Sequence, residues 1–288
     1  MNLPSHVTIV EVGPRDGLQN EQNPIPLETK VEFVQRLAAA GLPVVEAGAF
    51  VSPKRVPQMA DSVELFRLLH KRDGVRYPAL VPNILGLELA LNAGVEEIAI
   101  FVSASEGFSQ ANIACSRAES LDRLAPVVQS AVAHRLRVRG YVSCVIACPY
   151  DGPTLPVDVV EMSLKLLALG CEEISLGDTI GVGEPNQVRA LIEAVTKFIE
   201  RDRIAMHFHD TFGRAVENVE ASLREGISIF DSSVAGLGGC PFAPGAPGNV
   251  ATEAVLDLME RLGIETGVDR AAVAEVGEWI RSELNRHM

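Results

Sequence analysis

The chain has 288 residues, 47% of them hydrophobic, and a chain of this length buries about three quarters of the surface it exposes when unfolded. Its 38 acidic against 25 basic residues leave a formal charge of −13, which argues against nucleic acid or an anionic membrane as a partner. The five scattered cysteines, Cys115, Cys144, Cys148, Cys171 and Cys240, fit buried thiols in a reducing compartment rather than a disulfide scaffold, and no membrane-length apolar run or targeting leader is read, so a cytoplasmic protein is expected.

In chain order, a Val/Ile-rich run at 6–12 precedes an amphipathic helix at 27–40 and a second strand at 43–50. Helix 62–71, strands 76–82 and 97–103, helix 120–134, strand 137–145 and helix 156–169 follow. Strand 172–178, helix 186–201, strand 203–209, helix 214–224, strand 228–235 and helix 251–262 complete the pattern, with an extra terminal helix at 269–287. Period-two runs alternating with period-3.6 segments are the mark of repeated βα units. Gly41, Gly94, Gly170 and Gly226 each close a helical segment just before the next strand, as left-handed helix stops do. Eight such units predict an α/β fold of the (β/α)8 TIM-barrel type rather than an open doubly wound sheet. Without a linker or low-complexity stretch, a single catalytic domain over 1–288 is expected, with a Gly- and Pro-rich lid at 236–249.

Barrel chemistry collects where strands end. His207 and His209 lie two apart on a strand, so both imidazoles face one way. Arg15 and Asp16 follow the first strand, Glu46 lies within the second, Ser175 and Asp178 close the sixth, and Cys240 and Asn249 sit in the loop after the eighth. Strands one, two, seven and eight are neighbours in a closed barrel, so these residues converge. Asp16, His207, His209 and Asn249 supply two nitrogens and two oxygens without thiolate, a set that favours Mg²⁺ or Mn²⁺ in octahedral geometry with two positions left for substrate or water. The planar donor fork of Arg15 suits a developing oxyanion. Glu46, in an apolar strand, needs a partner; an ion pair with Arg15 would supply one. Cys240 on the lid is read as a proton donor or a site of oxidative inactivation, and Gly181-Val-Gly183 as loop geometry alone.

The segments Val12-Gly-Pro-Arg-Asp-Gly-Leu-Gln-Asn-Glu21, Phe50-Val-Ser-Pro-Lys54, Val56-Pro-Gln-Met59, Phe101-Val-Ser-Ala-Ser-Glu106 and Arg139-Gly-Tyr-Val-Ser143 resemble the hydroxymethylglutaryl-CoA lyase family. So do Glu173-Ile-Ser-Leu-Gly-Asp-Thr-Ile-Gly-Val-Gly183 and Ser233-Val-Ala-Gly-Leu-Gly-Gly-Cys-Pro241, the last separating the chain from the isopropylmalate and homocitrate synthases of the same metal-dependent group. The resemblance implies cleavage of a 3-hydroxy-3-alkylglutaryl-CoA to acetyl-CoA and a 3-keto acid, acetoacetate in the methyl case, by a homodimer. It implies metal binding and base work for Asp16, metal binding and proton transfer for His207, an acid role for Cys240, and positioning of Arg15 by Glu46. Substrate binding falls to Arg15, Gln19, Ser175, Asp178 and Thr179. Leucine degradation is among the pathways it implies. The chain departs from the family at Ala47-Gly48-Ala49, where a hydroxyl residue usually follows the glutamate, and at Arg55, where tryptophan is usual. These departures leave a larger 3-alkyl group open as the substrate. A Claisen-condensing synthase and a non-catalytic acyl-CoA or metal sensor are the rival readings.

Overall fold

In the computed structural model, which describes residues 3–238 and 248–286, the parallel strands curl into a closed barrel. The long strands are β1 (Thr8–Glu11), β5 (Glu97–Ser103), β6 (Arg137–Ser143), β9 (Glu173–Asp178), β10 (Ile204–Phe208) and β11 (Ile229–Ser232), with the short β4 (Ala79–Leu80) between the second strand and β5. The second strand is split by Glu46-Ala47 into β2 (Val44–Val45), which pairs with β1, and β3 (Gly48–Ala49), which pairs with β4. The split segment closes the ring. Glu46 N donates to Glu11 O at 2.8 Å on one side, and Ala47 N to Pro78 O at 3.0 Å on the other. Around the rest of the barrel β1 pairs with β11, β11 with β10, β10 with β9, β9 with β6, β6 with β5 and β5 with β4, all in parallel. The eight-unit barrel read from the sequence is the fold observed.

Strand alternation divides the apolar side chains between two places. Ile9, Ile98, Ile100, Val138, Ile174, Leu176, Ile204, Met206 and Phe230 face the helices in one large core, while Val10, Val12, Val44, Ala205 and Ile229 form a small separate cluster. Each fully buried Leu or Ile contributes about 1.5–3 kcal/mol, so the helix layer carries most of the stabilisation. The polar residues of the site continue the inner rows: Glu46 follows Val44, His207 follows Ala205, and Asp231 follows Ile229, each by two positions.

The helical layer comprises α1 (Leu27–Ala39), α2 (Ser62–Leu68), α3 (Ile84–Asn92), α4 (Glu106–Ile113), α5 (Arg117–Ala133), α6 (Pro156–Leu169), α7 (Pro185–Val195), α8 (Ala215–Arg224) and α9 (Thr252–Leu262). The four glycine stops hold, with φ of 91° at Gly41, 75° at Gly94, 123° at Gly170 and 85° at Gly226. Two helices have no range in the sequence pattern, α3, whose end alone is anticipated by the Gly94 stop, and α4. The first is apolar on nearly every side and the second is short; their starts are set by Asn83 and Ser105, whose side chains accept from Gly86 N and Phe108 N. Helix α5 starts earlier than expected because Ser116 and Glu119 form a capping box. A short hairpin, β7 (Ala147–Cys148) with β8 (Gly152–Pro153), also lies outside the eight-strand count. The terminal helix α10 (Arg270–Arg286) packs on α1, where Trp279 lies 6.2 Å from Phe33 and under the Arg36 guanidinium at 4.4 Å. Cys115, Cys144, Cys148 and Cys171 are all buried free thiols.

Candidate active site

Two loops build the site's first wall. After β1 the chain makes one wide turn, Gly13–Gly17, in which the amides of Arg15, Asp16 and Gly17 all reach Val12 O at 3.2, 2.7 and 3.2 Å. The buried Glu11 carboxylate ties this turn to the loop after β11, accepting from Gly13 N at 2.8 Å, Val234 N at 2.9 Å and Thr252 Oγ1 at 2.7 Å. Glycine is required at position 17, since a Cβ there would lie 2.8 Å from Leu237 Cβ. The turn is thereby pinned with Arg15 and Asp16 facing the barrel mouth.

Arg15 meets two carboxylates and keeps further N–H donors on its terminal nitrogens. Nε and Nη2 each lie 2.7 Å from Glu46 Oε2, and Nη1 donates to Asp16 Oδ1 at 2.6 Å. Burial opposes the cation, but Glu46 and Asp16 outweigh it and hold the Arg15 pKa above its ordinary value. Burial likewise raises the Glu46 carboxyl, with Arg15 and Arg139 pulling against it. For Asp16 burial is outweighed by Arg15, His207 and His209, and its pKa falls to about 2. Asp16 is therefore an anion under all ordinary conditions.

The two histidines come from the end of β10, their ring centroids 5.3 Å apart. Burial and the neighbouring His207 push the His209 pKa down to about 4, so this imidazole is neutral and its nitrogen lone pair available. A backbone bridge sets Asn249 against His209, and Val250 N donates to Phe208 O at 3.0 Å. The Asn249 amide then donates to Asp16 Oδ2 at 2.9 Å and to Leu237 O at 3.2 Å. Ligand atoms of Asp16, His207 and His209 lie within 4.8 Å of one another. His209 Nδ1 and Asn249 Oδ1 are buried with no hydrogen-bond partner, an arrangement that is costly unless something binds there. The donor set of carboxylate, imidazole and amide oxygen fits a divalent cation.

Above these groups opens a cavity of about 670 Å³. Arg15, Asp16, Gln19, His207 and His209 line one side, and Val56, Leu80, Phe101, Phe108 and Ile113 contribute an apolar wall. Residues 6–280 match the family model described as HMGL-like. The chain belongs to the HMGL-like family.

A Pseudomonas aeruginosa family member named 3-hydroxy-3-isohexenylglutaryl-CoA/hydroxy-methylglutaryl-CoA lyase is 56% identical over 286 residues, covering 99% of this chain and 95% of that protein. A crystal structure of hydroxymethylglutaryl-CoA lyase from P. aeruginosa superposes with a TM-score of 0.97 at 56% identity, over 99% of this chain and 95% of that one. An HMG-CoA lyase from Acinetobacter baumannii, solved in complex with coenzyme A and 3-methylmalate, is 33% identical with a TM-score of 0.93, over 99% of this chain and 93% of that one.

Within this HMGL-like barrel most of the residues singled out from sequence converge. Gln19 lines the cavity and donates to Asp16 Oδ1 at 3.0 Å; Thr179 lines it too, its hydroxyl accepting from Cys144 N at 2.8 Å. Ser175 and Asp178, expected to bind substrate, do not line the cavity. Ser175 lies one inner position below the cavity floor, where its hydroxyl donates to Asp231 Oδ2 at 2.8 Å. Asp178 shares the outward row of Ile174 and Leu176 and accepts from Gly183 N at 2.8 Å, so it shapes the loop rather than the cavity. Cys240 and most of the 236–249 lid lie outside the described residues.

Three residues of the site were not singled out by sequence reasoning. Asp231 Oδ1 accepts from Arg139 Nη2 at 2.6 Å, and its Oδ2 lies 3.2 Å from His207 Nδ1. Burial works against that carboxylate, yet Arg139 and His207 hold it down to about 2. Arg139, almost wholly buried, also donates to Glu173 Oε1 at 2.6 Å and to the Tyr141 hydroxyl at 2.9 Å; Tyr141 passes the chain on to Glu46 Oε2 at 3.3 Å. The network links Arg15 to His207, with Tyr141 itself in the cavity lining. Its signal was present in the sequence, because Arg139 and Tyr141 alternate in an apolar strand and Asp231 follows Ile229 by two.

Proposed function

We propose that this chain cleaves 3-hydroxy-3-methylglutaryl-CoA to acetyl-CoA and acetoacetate, as a carbon–carbon lyase. The observation that carries the reading is the meeting of Arg15, Asp16, His207 and His209 on the floor of one cavity. Asp16, His207, His209 and the amide oxygen of Asn249 would hold the divalent cation, Mg²⁺ or Mn²⁺. Such a cation, when bound, lowers the pKa of a coordinated hydroxyl.

The residues' own work follows from their settings. Both Asp16 oxygens already accept hydrogen bonds, Oδ1 from Arg15 and Gln19 and Oδ2 from Asn249. With a pKa near 2 Asp16 is first a ligand, and it takes the substrate's tertiary hydroxyl proton only once that proton has been made acidic. The resulting alkoxide collapses to the ketone of acetoacetate, the carbon–carbon bond breaks, and its electron pair moves into the thioester enolate. Arg15, held by Glu46 rather than free to swing, offers its guanidinium to the enolate oxygen without reorganisation. Protonation of the enolate carbon, by Cys240 or through His207, gives acetyl-CoA.

Chelator-stripped protein tested for acetyl-CoA release with and without Mg²⁺ or Mn²⁺ decides the reading. Metal-restored cleavage is expected; folded, metal-loaded protein that releases nothing would overturn it.

A second substrate is favoured by one observation, the apolar wall of Val56, Leu80, Phe101, Phe108 and Ile113. A larger 3-alkyl branch, such as isohexenyl, finds an apolar surface there, whereas a methyl group covers little of it. Comparing kcat/KM for the methyl and isohexenyl thioesters tests this. The same reading takes the chain as one catalytic domain, a cytoplasmic protein and a homodimer. Buried free thiols support the location, and no helix among the described residues is long and apolar enough to cross a membrane.

A further inference from the structure

Two guanidinium groups line the described walls of the cavity, and their situations are opposite. Arg15, at the floor, is buried and ion-paired with Glu46 and Asp16. Arg55 lines the same cavity but is exposed, and its side chain has no hydrogen-bond or ion-pair partner among the described residues.

The support of Arg55 is nevertheless firm. Its backbone sits in a turn in which Arg55 N and Val56 N both donate to Ser52 O, at 2.9 and 3.0 Å. The following residues, Pro57–Met59, form a short 3-10 turn. The buried Gln58 side chain donates to Glu21 O at 2.8 Å and to Asn23 O, and accepts from Ile25 N. The backbone oxygen of Gln58 accepts from the buried Lys30 ammonium at 2.6 Å, itself paired with Asp61. The turn is thus fastened to the segment that follows Arg15 and Asp16, and it presents an uncommitted cation at the cavity mouth of a chain whose net charge is −13.

We infer that Arg55 reads a phosphate of the coenzyme A portion of the substrate. This rests on the acyl-CoA reading above. The reacting carbons must sit at the floor with Arg15, Asp16 and the histidines, so the coenzyme extends outward, and its phosphates are the anions that reach the rim. Guanidinium matches phosphate oxygens with two parallel donors, which an ammonium cannot reproduce. The free carboxylate of the acyl group offers the same anionic chemistry nearer the floor.

Arg55→Met and Arg55→Lys separate the sources. Titration of metal-loaded protein with desulfo-CoA, which needs no turnover, should show about tenfold weaker binding for Arg55→Met, with part of the loss recovered in Arg55→Lys. KM for the coenzyme A thioester should rise by a similar factor while kcat stays within about twofold. The corresponding pantetheine thioester, lacking the phosphates Arg55 would read, should show equal KM for wild type and Arg55→Met. Unchanged desulfo-CoA affinity overturns the inference. An equal KM penalty on the pantetheine thioester also overturns it, assigning Arg55 to the acyl carboxylate. Wild-type protein that binds desulfo-CoA in an Arg55-dependent way but cleaves nothing would sink the lyase reading and leave this one standing.

Discussion

His207 Nδ1 lies 3.2 Å from Asp231 Oδ2, and the same carboxylate is held at 2.6 Å by the buried Arg139. A carboxylate behind a histidine fixes which ring nitrogen carries the proton and which faces outward with its lone pair. Asp231→Asn should therefore keep the shape and lose this control. Mn²⁺ affinity, measured by calorimetry on chelator-stripped protein, is expected to fall roughly 10–100-fold. Unchanged affinity with native circular dichroism would show that Asp231 serves only the Arg139 ion pair.

Removing Arg15 affects stability and catalysis separately. Arg15→Gln should cost about 2.7–4 kcal/mol of transition-state stabilisation, by analogy with loss of an oxyanion donor, with metal binding kept. It also leaves the fully buried Glu46 without its cation, which destabilises the fold. Adding Glu46→Gln should return much of the lost stability, read by urea denaturation, and none of the lost turnover. Turnover near wild type in the single variant would refute the enolate role.

Glu11 gives the fold a pH dependence that does not involve the site's reacting groups. Burial raises its pKa to about 7 against hydrogen bonds from Thr252, Val234 and Gly13. Because the folded value lies above the unfolded one, its contribution is fully present below about pH 4.5 and is lost as pH rises through about 7. The shift corresponds to on the order of 3 kcal/mol. A neutral Gln fits the same partners, since the Thr252 hydroxyl can turn to accept. Glu11→Gln should be at least as stable as wild type at pH 8, with the difference shrinking toward pH 5. A variant that loses more stability at pH 8 than at pH 5 would contradict the assignment.

Ala114, between α4 and α5, has a left-handed backbone with φ of 52° and ψ of 44°. That conformation costs an L-residue about 1–2 kcal/mol, and asparagine tolerates it better than alanine. Ala114→Asn should stabilise the chain by about 0.5–1 kcal/mol, raising Tm by roughly 1–2 °C. An unchanged or lower Tm would mean that the turn relaxes in solution.

Some of this protein is written in local sequence. The period-two runs gave eight strands, the glycines at 41, 94, 170 and 226 gave the helix stops, and the spacing of His207 and His209 set both rings on one face, because each depends only on near neighbours along the chain. Which residues meet across the barrel depends on closure. Glu11 stands beside Ser232 because the first and last strands pair in a particular register, and His207 stands beside Asp231 because the last two strands do. The registers around the rest of the barrel place Ser175 against Asp231 beneath the floor and carry Arg139 from the middle of the chain to Asp231 near its end. The split at Glu46-Ala47 has the same origin, since that strand must bond to both edges of the sheet to close it. Sequence determined the repeating unit and the side chains able to bind a cation. Tertiary structure decided their partners, because burial and cross-strand register belong to no single segment.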